Sequence, residues 1–273
     1  MITLIRFLVT VLPSPLAARL TLFLARFPVI KPKLKERDHN ALNAASSFSF
    51  NNDTRIAYSW GEGPIIILSH GWEGRASQLA PIAQALAAKG FRAIAYDGKA
   101  HGKSHGKGTT FLGFQRDMQA LTQHLDQPVH AYIAHSAGGL SLMAARFKGE
   151  VTANHYITLA SPRAPYPFIA TLRRELGIGD KTKKHCESQV AQQFDCSWQD
   201  LMEGMAFQYQ NQGELLAIYD ENDELVDPED ANSVLKQWPN AQTYTTKGLG
   251  HIKVMWDKTV IERIVDFVAL PSA

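Results

Sequence analysis

At 273 residues, 45% apolar and only 20% charged, the chain can close a large core and is too apolar for general disorder. Its two cysteines, Cys186 and Cys196, cannot staple a chain this long, which excludes a disulfide scaffold and leaves them as free thiols. Twenty-eight basic against 26 acidic residues give +2, a balance that implies no nucleic-acid partner.

The charge is uneven. Seven of the basic residues and one acid fall in residues 1–37, so this stretch carries +6 and the remainder −4. Residues 1–45 read as a basic, amphipathic helical arm. Its longest uncharged run, residues 7–18, contains Pro13 and Pro15 and is far short of the roughly 20 apolar residues of a spanning helix. The run has no basic cluster before it and no small-x-small site after it, so a cleaved signal is not expected. Leu16, Leu20, Phe23, Leu24 and Phe27 recur at helical spacing as one apolar stripe. Two readings stand. Either a pair of helices docks on the body, or the arm rests on a membrane with Lys31, Lys33, Lys35 and Arg37 near anionic lipid. The expected compartment is the cytoplasm, with membrane association under the second reading.

From residue 46 onward, short β-branched or apolar runs alternate with helical patterns. Residues 47–50 and 55–60 flank Asn51-Asn52-Asp53 as a hairpin. Residues 65–69 (IIILS) form a continuous apolar run, as in a strand buried on both faces. A helix follows with Leu79, Ile82, Ala83 and Leu86 on one face and Gly90 as its stop. The rhythm continues with strand 91–96, helix 111–125, strand 129–134, helix 138–147 and strand 155–160. It resumes with strand 215–219, a helix reaching Trp238, strand 242–246 and a closing helix carrying Val260, Ile261, Ile264, Val265 and Val268. Such alternation predicts an α/β fold, a mostly parallel central sheet with helices on both faces. The core is assigned to residues 46–160 and 214–273. Residues 161–213 carry Pro162, Pro165 and Pro167 and no strand pattern, so they read as a helical cap inserted over the sheet. Tyr166, Phe168, Phe194, Trp198, Met202, Met205 and Phe207 there are expected to form the cap's own core and to line part of the pocket.

The sharpest local signal is Ala134-His135-Ser136-Ala137-Gly138-Gly139, between a strand and a helix. A serine at such a turn is lifted clear of the strand end, and the bend demands small neighbours two residues to either side. The bland alternative is an N-cap serine. A nucleophilic serine needs a base and a group to orient the base, which in such sheets follow it in chain order as acid, then histidine. His251, in Gly248-Leu249-Gly250-His251 after the final strand, is the candidate base, with Gly250 expected to leave room for it. Asp223, just past strand 215–219, is the candidate acid, with Asp220 as its rival. Asp227 and Asp230 suit a helix cap near Pro228. His135, His124, His130 and His155 read as structural. The oxyanion donors are expected at the N–H groups of Ala137 and Trp72, with Gly71 permitting an unusual turn between His70 and Trp72.

Rival motifs are weaker. Gly98–Ser104 mimics a phosphate loop but is one residue short and leads into no helix. His101 and His105 are four apart, yet Gly102 and Gly106 argue against the helix that would align them. No metal site is expected, since neither H-x-H-x-D nor paired C-x-x-C occurs.

Over residues 46–270 these pieces resemble the α/β-hydrolase superfamily. The resemblance is carried by the HGW loop, AHSAGG, IYDEND, GLGH and YDGKAHGKS, with Ala134 replacing the commoner glycine and Lys99-Ala100 the usual Pro-Gly. More narrowly, HGWEGR followed by SQL is similar to a group of bacterial α/β hydrolases. The resemblance implies a Ser136–Asp223–His251 triad with Trp72 and Ala137 as oxyanion donors. It also implies a cofactor-free serine hydrolase acting on an ester-type bond of a small acyl substrate. Thioesters, lactones and carbon–carbon bonds suit the same triad, and a hydrolase-shaped ligand-binding protein is the reading from another class. Oligomeric state is left open.

Overall fold

The computed structural model describes residues 2–30 and 33–269. Two short helices open it, α1 (Ile2–Val11) and α2 (Ser14–Ala25), followed by α3 (Glu36–Asn43). Pro15 sits in the first turn of α2, where a missing N–H costs nothing. Helix α3 has no apolar stripe, so periodicity gave no hint of it; the Asp38 carboxylate caps it by accepting the Lys35 N–H at 2.8 Å.

The sheet begins with the hairpin β1 (Ser46–Phe50) and β2 (Arg55–Trp60), whose turn residues Asn51, Asn52 and Asp53 all take positive φ. Asn and Asp tolerate that conformation better than most side chains. Then come β3 (Ile65–Ser69), α4 (Ala80–Ala87), β4 (Arg92–Asp97), α5 (Phe111–Leu125), β5 (Val129–His135), α6 (Ala137–Phe147) and β6 (His155–Leu159). Residues 161–213 contain α7 (Tyr166–Leu176), α8 (Asp180–Ala191) and α9 (Trp198–Met202) with two single 3-10 turns. The chain returns to the sheet with β7 (Glu214–Asp220), α10 (Asp230–Gln237), β8 (Gln242–Thr246), the one-turn α11 (Gly250–Lys253) and α12 (Lys258–Phe267).

The strand order is β1-β2-β4-β3-β5-β6-β7-β8. Strand β2 runs antiparallel to β1 and β4, and every pairing from β4 through β8 is parallel. The pleat splits β3 between two cores, Ile65 and Ile67 on one face, Ile66 and Leu68 on the other. Both faces are therefore covered, which is why this strand reads as an unbroken apolar run. The turn that carries Ser136 leaves the middle of the sheet at β5, between β3 and β6.

The arm packs on the helices of residues 161–213: α2 lies against α8, and α1 against α2 and α7. Its orientation reverses the simple expectation for a docked amphipathic helix. Ala17, Ala18 and Thr21 are the buried residues of α2, whereas Leu16, Phe23 and Phe27 of the predicted stripe are exposed. Small residues permit close approach of two helices, and here they take the inner face. Lys31 lies outside the described residues; Lys33, Lys35 and Arg37 are exposed.

Candidate active site

Strand β5 ends at His135 and α6 begins at Ala137, so Ser136 alone makes the bend. It pays for this with φ 52° and ψ −123°, a strained backbone for a residue with a side chain. The bend persists because its surroundings leave no alternative. A β-carbon on Gly138 would collide with the His70 carbonyl, and one on Gly139 with the Ser161 hydroxyl. The Ser136 N–H is anchored to the Leu159 carbonyl at 2.9 Å. Its hydroxyl does not cap α6; it meets Nε2 of His251 at 2.9 Å.

His251 arrives on α11 directly after Gly250, which adopts φ +63°. A β-carbon at Gly250 would meet only the Asn222 carbonyl at 3.5 Å, so the glycine is needed for its backbone conformation, not for the room expected from sequence. On its other side, Nδ1 of His251 donates to Oδ2 of Asp223 at 2.8 Å. A carboxylate only accepts, so the proton sits on Nδ1 and Nε2 offers a lone pair to the Ser136 hydroxyl. Oδ1 of Asp223 accepts the N–H groups of Leu225 and Val226 at 2.8 and 3.0 Å. Burial pushes the Asp223 carboxyl up, but the bond to His251 and these N–H groups outweigh it and hold it below the ordinary carboxylate range.

The other acids do different work. Asp220 terminates β7 and accepts from Asn222, Leu249, Gly250 and the Thr246 hydroxyl, which braces the loop that carries His251. Asp227 accepts the Glu229 N–H at the start of α10. Asp230 does not cap that helix: it is fully buried and takes Arg163 and the Tyr166 hydroxyl. The sequence carried no sign of that pairing, since Arg163 is 67 residues away.

Gly71 does not take positive φ, contrary to the expected unusual turn. Proximity is what it supplies: a β-carbon there would stand 2.9 Å from Cβ of Ser136 and 3.2 Å from the His135 carbonyl. The left-handed residue of this loop is Glu73, at φ 57°. The loop thus runs flush against the bend, with Trp72 following at once and Ala137 opening α6 on the other side. The apparent phosphate loop is a turn wrapped around Asp97, whose carboxylate accepts from Ala76 and Lys103. Cys186 and Cys196 are free. Among the described residues no three His, Cys, Asp or Glu side chains are grouped as metal ligands.

A family model described as Serine aminopeptidase, S33 matches residues 63–170. A non-heme chloroperoxidase from Kitasatospora aureofaciens is 28% identical over 53% of this chain and 53% of its own length. A non-heme haloperoxidase from Rhodococcus erythropolis is 32% identical over 33% of this chain and 34% of its own. The chain thus spans about half the length of the first curated relative and a third of the second. Among solved structures, E-2-(acetamidomethylene)succinate hydrolase superposes with a TM-score of 0.64 at 16% identity, over 82% of this chain and 98% of that one. With the strand order above, this decides the architecture. The chain has the α/β-hydrolase fold.

Within this α/β-hydrolase fold, three buried histidines, His70, His101 and His135, surround the site. His70 donates from Nδ1 to the Gly71 carbonyl at 2.7 Å and accepts the Gly98 N–H on Nε2 at 3.0 Å. His101 accepts the Glu73 N–H at 3.0 Å and donates to the Lys99 carbonyl. His135 bonds through Nε2 to the His251 carbonyl at 2.8 Å, which ties the β5 end to the backbone of His251. Only the position of His70 in the HGW loop hinted at such a role.

Burial, reinforced by the neighbouring His251, pushes His135 down to about 3, and burial with the nearby His101 holds His70 well below its ordinary value. Both are therefore neutral when folded and protonate on unfolding below about pH 6.5. The unfolded chain then binds more protons, so stability falls as pH drops, by about 1.4 kcal/mol per pH unit for each such histidine. For His135 the loss runs from about 6.5 down to its folded value near 3. In urea titrations between pH 7 and 5, His135→Asn should lose stability less steeply than the wild type by one proton's worth. Equal slopes would contradict a neutral, buried His135.

Proposed function

We propose that the chain is a serine hydrolase that cleaves ester-type acyl bonds without a cofactor. The observation that carries this reading is the continuous relay from Asp223 through His251 to a serine hydroxyl held on a strained bend. Ser136 attacks the substrate carbonyl while Nε2 of His251 takes its proton. Asp223 holds the imidazole in the required tautomer and stabilises the imidazolium that forms. The N–H groups of Ala137 and Trp72 receive the oxyanion, each such donor lowering the barrier by about 3 kcal/mol in comparable sites. His251 then returns the proton to the leaving alcohol, and a water deprotonated by the same nitrogen releases the acid from Ser136. Thioesters and lactones present the same carbonyl to the same atoms, so they belong in the substrate panel. The Trp72 ring lies 6.0 Å from Phe168 of the cap, an apolar pair that favours hydrocarbon acyl groups over charged ones.

A fluorophosphonate probe tests the reading, followed by p-nitrophenyl esters of rising chain length and acyl-CoA thioesters. The wild type should label at a single serine and turn over an ester, and Ser136→Ala should do neither. Labelling that survives in Ser136→Ala would move the nucleophile to another residue, and none in the wild type would leave only a hydrolase-shaped binding protein.

A further inference from the structure

The arm leaves several of its large apolar side chains outside. On α1, Leu4, Phe7 and Val11 are exposed at 62, 60 and 57% and recur at i, i+3 and i+7, so they share one stripe of the helix. On α2 and the turn after it, Leu16, Phe23 and Phe27 recur at i, i+7 and i+11 and form a second stripe, with Phe23 and Phe27 edge to face at 5.4 Å. Arg19 and Arg26, also seven apart, flank that stripe and are exposed. The chain then continues through Val29 and Ile30, exposed at 86 and 63%. A helix pair serving only as a brace would turn its largest apolar side chains inward. This one buries Val9, Ala17 and Ala18, half-buries Leu12 and Leu22, and leaves Leu4, Phe7, Leu16 and Phe23 outside.

We infer that the outer face of α1, α2 and residues 27–30 docks flat on an anionic lipid surface. Charge complementarity selects this occupant. Residues 1–35 contain no acid, while Arg6, Arg19, Arg26, Lys33 and Lys35 are all exposed. The rest of the molecule is net acidic, so a negative surface attracts the arm, repels the body and orients the protein. Apolar side chains beside basic ones are the pattern of a helix lying in the interfacial plane. No helix among the described residues is long and apolar enough to cross a membrane. The anchor also ends at the candidate site: the N–H groups of Val29 and Ile30 both donate to the Glu73 carboxylate at 2.7 Å, one residue after Trp72. Docking through the arm would bring this loop close to the bilayer. The binding claim itself does not depend on the catalytic reading.

The test is co-sedimentation of the full chain with vesicles of phosphatidylcholine alone and of phosphatidylcholine with phosphatidylglycerol. The wild type should partition onto the anionic vesicles. Phe7→Ser with Phe23→Ser should weaken partitioning by roughly tenfold or more, since both side chains are already exposed and their loss leaves the core intact. Arg19→Gln with Arg26→Gln should weaken binding to anionic vesicles by about thirtyfold and change binding to neutral ones little. Circular dichroism confirms that the variants are folded. Absence of binding to either vesicle, or equal binding by wild type and both variants, would overturn the inference. So would light scattering that shows a dimer lost in the phenylalanine variant while no vesicle is bound, because the face would then be covered by a second copy. Running the same series in Ser136→Ala separates this result from any failure of the catalytic reading.

Discussion

Asp223→Asn should lower kcat by about 10⁴-fold while leaving thermal stability almost unchanged, and the reason lies in how the two carboxylate oxygens are used. Oδ1 accepts two backbone N–H groups, from Leu225 and Val226, and Oδ2 accepts from His251. An asparagine must keep its oxygen toward the two N–H donors, so its amide NH₂ faces Nδ1 of His251. The imidazole can then only accept there, which moves its proton to Nε2 and turns a donor toward the Ser136 hydroxyl. The base is lost without a broken turn. Asp220→Asn should behave differently. Both of its oxygens each accept two donors, so any amide orientation sets an NH₂ against an N–H or hydroxyl that now lacks an acceptor. The expected cost is about 1–3 kcal/mol of stability, with a smaller fall in kcat through the shifted His251 loop. Melting curves and steady-state kinetics on the two variants decide which acid serves the base. Equal kinetic losses, or a larger one for Asp220→Asn, would reject the assignment of Asp223.

What sequence could reveal here depended on whether the cause was local. The buried strands announce themselves because both faces of β3 are covered, and the serine bend because its small residues stand at fixed offsets from Ser136, although the contacts that force the glycines come from His70 and Ser161. The order of the antiparallel edge and the pairing of Arg163 with Asp230 are set by long-range packing and left no local trace. Two glycines were rightly singled out for the wrong physical reason: Gly71 is required by proximity and Gly250 by its left-handed backbone. Helix α3 escaped notice because its stability comes from a capping carboxylate, which a search for apolar periodicity does not weigh. The arm was legible only in part: its apolar stripe suited either a docked face or a membrane face, and on α2 the residues buried are the small Ala17, Ala18 and Thr21, with Leu16 and Phe23 exposed.

Gly71→Ala should reduce kcat by about 10²–10³-fold with little change in KM. The added methyl would stand 2.9 Å from Cβ of Ser136, 3.1 Å from Nδ1 of His135 and 3.2 Å from the His135 carbonyl. None of these neighbours can give way readily. Ser136 is held at φ 52° by the collisions that Gly138 and Gly139 avoid, and His135 is tied through Nε2 to the backbone of His251. The loop itself must therefore retreat, drawing the Trp72 N–H away from the position where negative charge develops. That donor matters little to the ground state, so the penalty falls on kcat. Gly179→Ala is the matched control, since nothing lies within 4 Å of a β-carbon there and its backbone is extended. It should match the wild type. If Gly71→Ala keeps full kcat and fluorophosphonate reactivity while a structure of the variant shows the loop displaced, Trp72 is not the second donor and the oxyanion assignment fails; a loop unmoved by the methyl would instead refute the close contact argued for Gly71.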